Sequence, residues 1–276
     1  MINALSFDIE DYFQVSAFES VVCRSEWDKY PSRVVDNTRK IIALLNKHQV
    51  HATFFVLGWV ADHFPDLVQE ISAAGHELAT HGYWHRLVYQ QTPDEFEEDL
   101  EKSLVAIRNA DSNSDVIGYR APTFSLSPDA SWALEILSRH GIKYSSSVFP
   151  VSIHDRYSNG TAPRFAHLTE AGILEIPLST IRWANFNFAV AGGGYLRFYP
   201  QRLTCKAIRI LNTQHRPAIV YLHPWEFDPE QPRLQGASLR SRIRHYLHLD
   251  KTASRLEHLL KQFEFGPIKK VFQVEG

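Results

Sequence analysis

The chain has 276 residues, with 29 basic and 31 acidic side chains and a formal net charge of −2. One large domain is the leading interpretation at this length, and a hydrophobic content of 44% is ample for a large core. This composition excludes a disordered chain, a collagen-like chain and a polybasic nucleic-acid-binding protein. The two cysteines, Cys23 and Cys205, are too few for a disulfide framework and lack metal-ligand spacing.

The first residues carry no basic stretch, and Asp8, Glu10 and Asp11 come before any apolar run of signal length. We therefore expect no targeting segment and a cytoplasmic location. The longest apolar run, 52–61, is shorter than the ~18 residues that a bilayer span requires, so no membrane span is predicted.

Short β-rich runs alternate with helical patterns over the first two-thirds of the chain, which is typical of βα units around a parallel sheet. The predicted strands are 2–7, 52–57, 76–80, 115–119 and 142–148. The predicted helices are 34–46 with Ser32 as its cap, 65–74, 93–109, and a segment from Ser127 to Gly141.

The pattern becomes irregular over 150–197, where we expect loops and extra strands, including 173–177, to cover the mouth of a barrel. A helix over 200–214 and a buried strand over 218–222 follow. Residues 239–263 are predicted to form a basic helical tail.

Three carboxylates follow the first predicted strand in the sequence Phe7-Asp8-Ile9-Glu10-Asp11. Barrel strands deliver side chains to a catalytic face at their carboxyl ends. Alternation along a strand places Asp8 and Glu10 on one side and Ile9 on the other, whereas Asp11 joins them only if the chain turns.

Two histidines, His81 and His85, follow the strand predicted over 76–80. Four residues apart, they would share one face of a helical turn. With a carboxylate from another strand they would form a site with open positions, which suits Zn²⁺ or another first-row divalent ion.

Two further strand ends carry polar groups. Arg120 ends one predicted strand and can pair with a carboxylate, while His223 ends another beside Pro224. Imidazole titrates near neutrality, which makes His223 a candidate general acid.

The order of these motifs resembles the polysaccharide deacetylase superfamily, the NodB-homology domain of carbohydrate esterase family four, over about residues 5–226. The segments that carry the resemblance are 7–11, 52–58, 81–85, 120–122 and 222–224. Longer matches over 6–18, 192–200 and 223–229, reaching into the tail, resemble a narrower subgroup, deacetylases encoded with exosortase-linked exopolysaccharide clusters.

The resemblance implies an α/β fold, a distorted (β/α) barrel of the polysaccharide deacetylase type, with loop insertions and a helical C-terminal tail. It implies a single domain over 1–276, with a catalytic barrel over about 1–230 and a helical extension over about 231–276. It also implies one divalent metal ion, with Zn²⁺ as the first choice and other first-row ions as alternatives.

The resemblance further implies roles for individual residues. Matched position by position, they are Asp8 as catalytic base, Arg120 as the residue that holds the base, His223 as general acid, and Glu10, His81 and His85 as metal ligands, with Asp11 as the alternative to Glu10. Trp225 and Pro122 are the predicted substrate-binding residues, Trp225 because it lies two residues from His223. Ser145 stands where relatives commonly carry an aspartate, so it supplies no charge there.

The implied function is a metal-dependent hydrolase that removes N-acetyl groups from a sugar of an exopolysaccharide or its precursor. Its partners would be an N-acetylated carbohydrate and, in one hypothesis, polysaccharide assembly machinery. Two alternatives remain: a cyclic amide or imide hydrolase on the same scaffold, and a non-catalytic sugar-binding or scaffold subunit.

Overall fold

The structure is a computed structural model that describes residues 1–151, 161–190 and 192–275. Within the irregular region predicted over 150–197, residues 152–160 and 191 lie outside the described residues.

Nine strands of the described part form one sheet, and two more form a separate hairpin. The strands are β1 (Ile2–Ile9), β2 (Thr53–Val56), β3 (Glu77–Thr80), β4 (Gly118–Tyr119), β5 (Tyr144–Ser145), β6 (His167–Leu168), β7 (Leu174–Glu175), β8 (Thr180–Trp183), β9 (Phe186–Ala189), β10 (Ile219–Leu222) and β11 (Glu264–Gly266). The main sheet runs in the order β10-β1-β2-β3-β4-β5-β7-β6, with β11 paired to β1, while β8 and β9 pair with each other.

Helices follow most of the strands along the chain, as the alternating pattern predicts. They are α1 (Val34–Lys47), α2 (Gly58–His63), α3 (Pro65–Ala73), α4 (Pro93–Ala110), α5 (Trp132–Arg139), α6 (Gly193–Phe198), α7 (Gln201–Thr213), α8 (Leu239–Tyr246), α9 (Thr252–Gln262) and α10 (Ile268–Val271).

The pairs that link β10, β1, β2, β3, β4, β5 and β7 are all parallel, so the carboxyl ends of these strands meet at one edge. The sheet curls into a distorted barrel, which confirms the predicted fold class. Polar strand-end residues from distant parts of the sequence are therefore brought to the same place.

The central strand β1 is buried on both faces after its first residue. Leu5, Phe7 and Ile9 pack in the main hydrophobic core, whereas Ala4 packs on the other face in a smaller cluster with Phe55. Strands covered on both faces consist of near-continuous apolar residues, which is why the short apolar runs predicted strands correctly.

The predicted tail is more than a helix. It consists of α8 and α9, which are separated at 247–251, followed by strand β11, which pairs in parallel with Ile2–Ala4, and by α10. His248 adopts a left-handed φ of 50° between the two helices, so the helical tail predicted over 239–263 is interrupted once along its length.

Other local predictions also differ from the structure, among them the cap of α1 and the end of β5. The N-cap of α1 is Arg33, not Ser32, and its side chain makes no capping bond. Strand β5 ends at Ser145 rather than 148, because the N–H groups of Ser147 and Val148 donate to the Glu175 carboxylate instead of extending the ladder.

Candidate active site

The two carboxylates predicted to converge do lie at the same site. Asp8 is the penultimate residue of β1 and Glu10 follows its end, and each is 2% exposed. His223 Nε2, at the end of β10, is 3.8 Å from Asp8 Oδ2 and 3.7 Å from Glu10 Oε1. The intervening Ile9 packs in the core, as strand alternation predicts.

His81 and His85 meet through a loop, not through the predicted helical turn. Residues 81–87 form no helix, and the backbone takes positive φ angles at Gly82 (73°) and at His85 (52°). The two rings come to a centroid distance of 5.2 Å. The prediction of proximity therefore holds for a different reason: the loop folds back on itself.

Asp99, a buried acid on α4, holds this loop in place. Its carboxylate accepts hydrogen bonds from the backbone N–H of Tyr83 at 2.7 Å and of Trp84 at 3.1 Å. A Cβ at Gly82 would lie 2.8 Å from Asp99 Oδ2, so the approach requires glycine. Sequence analysis did not single out Asp99, although an acid among the buried apolar residues of an amphipathic helix is a usable signal.

Arg120 is fully buried and contacts several parts of the site. Its Nη1 donates to Asp8 Oδ1 at 2.6 Å and to the Ser6 hydroxyl at 2.9 Å. Its Nε and Nη2 donate to the carbonyl and the hydroxyl of Ser146. Its own carbonyl lies 2.8 Å from His81 Nδ1, so the ring donates from Nδ1 and its Nε2 is left as a ligand atom.

The donor set of the site fits a divalent metal ion. One ligand atom each from Glu10, His81 and His85 lies within 4.8 Å of the others, and all three residues are buried. Glu10 Oε2 is 2.8 Å from His85 Nε2 but has no hydrogen bond of acceptable geometry among the described residues. Two imidazoles and one carboxylate are a zinc-hydrolase set that leaves an open position.

The charges of these groups depend on each other. Burial by itself would raise the pKa of Glu10, but its interactions with the imidazoles of His85, His223 and His81 lower it to about 2. Burial lowers the pKa of His81 to about 4, which keeps this ring neutral at neutral pH. Burial would also lower the pKa of His223, but its contact with Glu226 and the nearby acids raise it to about 9.

Asp11 lies outside this cluster. Its Oδ2 accepts from the Ser32 hydroxyl and from the backbone N–H of Arg33 and of Val34, and its Oδ1 accepts from the N–H of Tyr12. The carboxylate therefore caps the start of α1. Of the two candidate ligands, the geometry favours Glu10.

Trp225 lines the pocket but is only 7% exposed. It stacks on His223 at 5.0 Å and on His245 at 4.1 Å, and its Nε1 donates to Glu10 Oε1 at 3.2 Å. Because little of its ring is exposed, its predicted substrate-binding role stays a prediction. Pro122 is buried and is not among the described pocket residues, whereas the next residue, Thr123, is.

The site opens into a pocket of about 860 Å³. Its near wall is the acid and histidine cluster, and its far wall is formed by α6 and α8. Phe198 is 67% exposed and lies on this far wall with Tyr195. Residues of α6 and α8 therefore form part of the pocket wall, which local sequence patterns did not indicate.

In the part of the chain that the structure describes, no helix combines the length and apolar character needed to cross a bilayer.

The fold and the site together define the class, a distorted α/β barrel with a two-histidine, one-carboxylate cluster at the carboxyl ends of its strands. Residues 23–145 match the family model for polysaccharide deacetylase, and residues 146–273 match the model for a domain of unknown function (DUF3473). Residues 23–145, somewhat less than half of the chain, are thus similar to polysaccharide deacetylases.

Individual relatives show the same similarity. The chain is 31% identical over 109 residues to the peptidoglycan deacetylase of Helicobacter pylori. This match covers 40% of this chain and 36% of that protein. It is 38% identical over 66 residues to the peptidoglycan-N-acetylglucosamine deacetylase of Bacillus cereus, and this match covers 24% of each of the two proteins. The chain therefore spans about a third or less of these relatives.

A solved structure supports the fold. The crystal structure of a Mycobacterium smegmatis protein described as a polysaccharide deacetylase superposes with a TM-score of 0.61 at 15% identity, covering 98% of this chain and 88% of that one. At this identity the likeness concerns the fold alone.

Proposed function

We propose that this protein is a metal-dependent polysaccharide N-deacetylase, which hydrolyses the N-acetyl group of a sugar unit to acetate and a free amine. The observation that carries the proposal is the meeting of Asp8, Glu10, His81, His85 and His223 at one pocket. The deacetylase relatives of the matched segment support the same reaction.

Glu10, His81 and His85 would hold the metal ion, for which we propose Zn²⁺. When bound, the ion would supply Lewis-acid chemistry by polarising the acetamide carbonyl and making water a better nucleophile. The Nδ1 contact of His81 with the Arg120 carbonyl fixes the tautomer that a ligand needs.

Asp8 is the proposed general base. Arg120 binds its Oδ1, so the carboxylate is held in one orientation, and its Oδ2 faces the side of the site where His223 lies. Asp8 would take the proton from the attacking water, a role that requires a carboxylate near the reacting atoms.

His223 is the proposed general acid. The raised pKa, about 9, keeps its imidazole protonated at neutral pH, so it can give a proton to the leaving sugar amine. Asp8 Oδ2 and His223 Nε2 lie 3.8 Å apart at the same pocket, where a proton acceptor and a proton donor can both reach the reacting groups.

We propose that the substrate is an N-acetylated sugar of an exopolysaccharide or its precursor, as the resemblance to the exosortase-linked subgroup implies. We also propose that the chain acts as one catalytic domain, a barrel over about 1–230 with an extension over about 231–276. Support comes from β10 and β11, which both pair with β1. The cytoplasmic location and the association with assembly machinery stay predictions.

The test is acetate release from N-acetylglucosamine oligomers and O-acetylated controls by metal-stripped protein, before and after addition of Zn²⁺. We expect Zn²⁺-dependent release by the wild type and none by His81→Ala. Asp8→Asn and His223→Ala should each lower turnover by ~10²- to 10⁴-fold with metal still bound.

His258→Ala, which removes an exposed histidine of α9, is the matched control and should behave as the wild type. No release by zinc-loaded wild type would contradict the proposal. Hydrolysis of cyclic amides or imides would then indicate the alternative hydrolase, and metal-free sugar binding would indicate a non-catalytic protein.

A further inference from the structure

The imidazole of His223 lies between acidic groups on both sides. Its Nε2 faces Asp8 and Glu10, whereas its Nδ1 faces away from them, 3.5 Å from Oε1 of Glu226. Within the described residues, this buried Nδ1 has no hydrogen-bond partner, and the Glu226 carboxylate is the acidic group that it faces. Contacts of catalytic groups are often long in the free protein and tighten when the substrate is bound.

Glu226 is itself held by a buried arginine. It is 1% exposed, and Arg197 Nη2 donates to its Oε1 at 3.3 Å. Arg197 is also 1% exposed, and its Nη1 donates to the main-chain carbonyls of His245 at 3.0 Å and of Leu247 at 2.6 Å. A buried carboxylate needs such a partner to remain charged, and the two carbonyls fix the guanidinium.

The backbone at the start of α6 packs so closely against the Glu226 carboxylate that it leaves no room for a side chain there. A Cβ at Gly193, the first residue of α6, would lie 1.6 Å from Glu226 Oε2. The His223 ring is also packed flat against Trp225, with 22° between the planes. The position of Glu226 relative to His223 is thus determined by packing on several sides.

Strand β5 supplies no competing carboxylate. The Ser145 hydroxyl donates to Ser147, and the Ser146 hydroxyl accepts from Arg120, the residue that binds Asp8.

We propose that Glu226, held by Arg197, is the positioning residue of His223. Its carboxylate accepts a hydrogen bond from the Nδ1–H group of His223. The ring is therefore oriented with Nε2 towards the substrate and exchanges its catalytic proton at that atom. Glu226 acts through His223 and does not touch the reacting atoms. This inference rests on the proposed function, and it assigns a task to residues of the segment of unknown function.

The first experiment measures steady-state kinetics of Glu226→Gln and Glu226→Asp in the zinc-loaded protein. We expect Glu226→Gln to lower kcat by roughly 10- to 100-fold, a part of the ~10²- to 10⁴-fold that acid catalysis supplies, with KM little changed. Glu226→Asp keeps the charge and should recover part of kcat.

The matched control is Glu77→Gln, which removes another buried carboxylate at the opposite end of the sheet's parallel strands. It should leave kcat unchanged even if it lowers stability. An unchanged kcat in Glu226→Gln would overturn the proposal.

A double-mutant cycle separates positioning from general structural support. In the His223→Ala background the residue that Glu226 orients is gone, so Glu226→Gln should cost no further activity. An equal loss in both backgrounds would overturn the proposal. If Glu226→Gln fails to fold, Glu226→Asp takes its place in the cycle, with a smaller loss expected only when His223 is present.

A measurement without substrate distinguishes failure of this inference from failure of the proposed function. In zinc-loaded protein with ¹⁵N-labelled histidine, the ring-nitrogen chemical shifts of His223 should change in Glu226→Gln and not in Glu77→Gln. Unchanged shifts would overturn the positioning role whether or not the wild type releases acetate. A wild type that releases no acetate but shows these shifts would overturn the proposed function alone.

Discussion

At the scale of single residues, Arg120 connects the two halves of the site. Its guanidinium binds Asp8 while its carbonyl binds His81, so one residue orients both a carboxylate and a candidate metal ligand. The guanidinium also lies 4.0 Å from the centre of the Phe55 ring, which contributes a cation–π contact. A short Arg-Ala-Pro motif predicts such an arginine, but not that its main chain also takes part.

Glu175, a buried acid on β7, should make the stability of the protein depend on pH. Burial raises its pKa to about 7, although the N–H groups of Ser147 and Val148 donate to it. The folded protein therefore binds this proton more tightly than the unfolded chain. The free energy of unfolding should fall by about 1–3 kcal/mol as pH rises from about 4.5 to 7, and the loss should be complete above pH 7.

Denaturant unfolding of Glu175→Gln between pH 4.5 and pH 8 tests this expectation. The amide can still accept both N–H groups but does not titrate, so the variant should gain stability relative to the wild type as pH rises. Glu170→Gln, at an exposed position nearby, should keep the wild-type slope. If the free energy of unfolding depends on pH in the same way for the wild type and Glu175→Gln, burial does not disfavour the ionised form of Glu175, and the prediction is wrong.

At the scale of elements, the loop between β3 and α4 determines whether the two histidines meet. Asp99 binds the backbone of this loop, and Arg24 donates to the carbonyls of Trp84 and His85 from the other side. Because the loop is not helical, its shape depends on these distant partners rather than on local propensity.

We therefore predict that Asp99→Ala weakens metal binding although Asp99 is no ligand. Loss of groups that orient ligands typically costs 10- to 100-fold in metal affinity, and a loss of about this size is expected here. Competition with a chelating dye would measure it. The exposed neighbour on the same helix, Glu98→Ala, should bind Zn²⁺ as the wild type does, and equal affinities for all three proteins would contradict the prediction.

At the scale of the whole molecule, the end of the chain closes the amino-terminal end of the sheet. Ile268 is fully buried with Ala4 and Phe55. The N–H groups of Ile268 and Lys269 donate to the side chains of Thr53 and Glu77. The C-terminal segment is thus part of the core of the protein.

Ile268→Ala should consequently lower the free energy of unfolding by about 2–5 kcal/mol, the usual cost of a large-to-small change in a core. Val105→Ala, at a residue that is 53% exposed on α4, should change it by less than about 0.5 kcal/mol. Thermal or urea unfolding measures both. Equal stabilities would mean that the last residues pack only loosely on the sheet.

The sequence by itself determined the parallel α/β class, most helices, and the strand ends that carry Asp8, Glu10, Arg120 and His223. These follow from periodicities and strand alternation, which are properties of neighbouring residues.

Only the tertiary structure decided the rest: the capping role of Asp11, the loop that joins His81 to His85, and the burial of Trp225. It also decided the pairing of the last strand with the first, and the placement of Glu226 behind His223. These features depend on contacts between residues far apart in the chain, which no local pattern encodes.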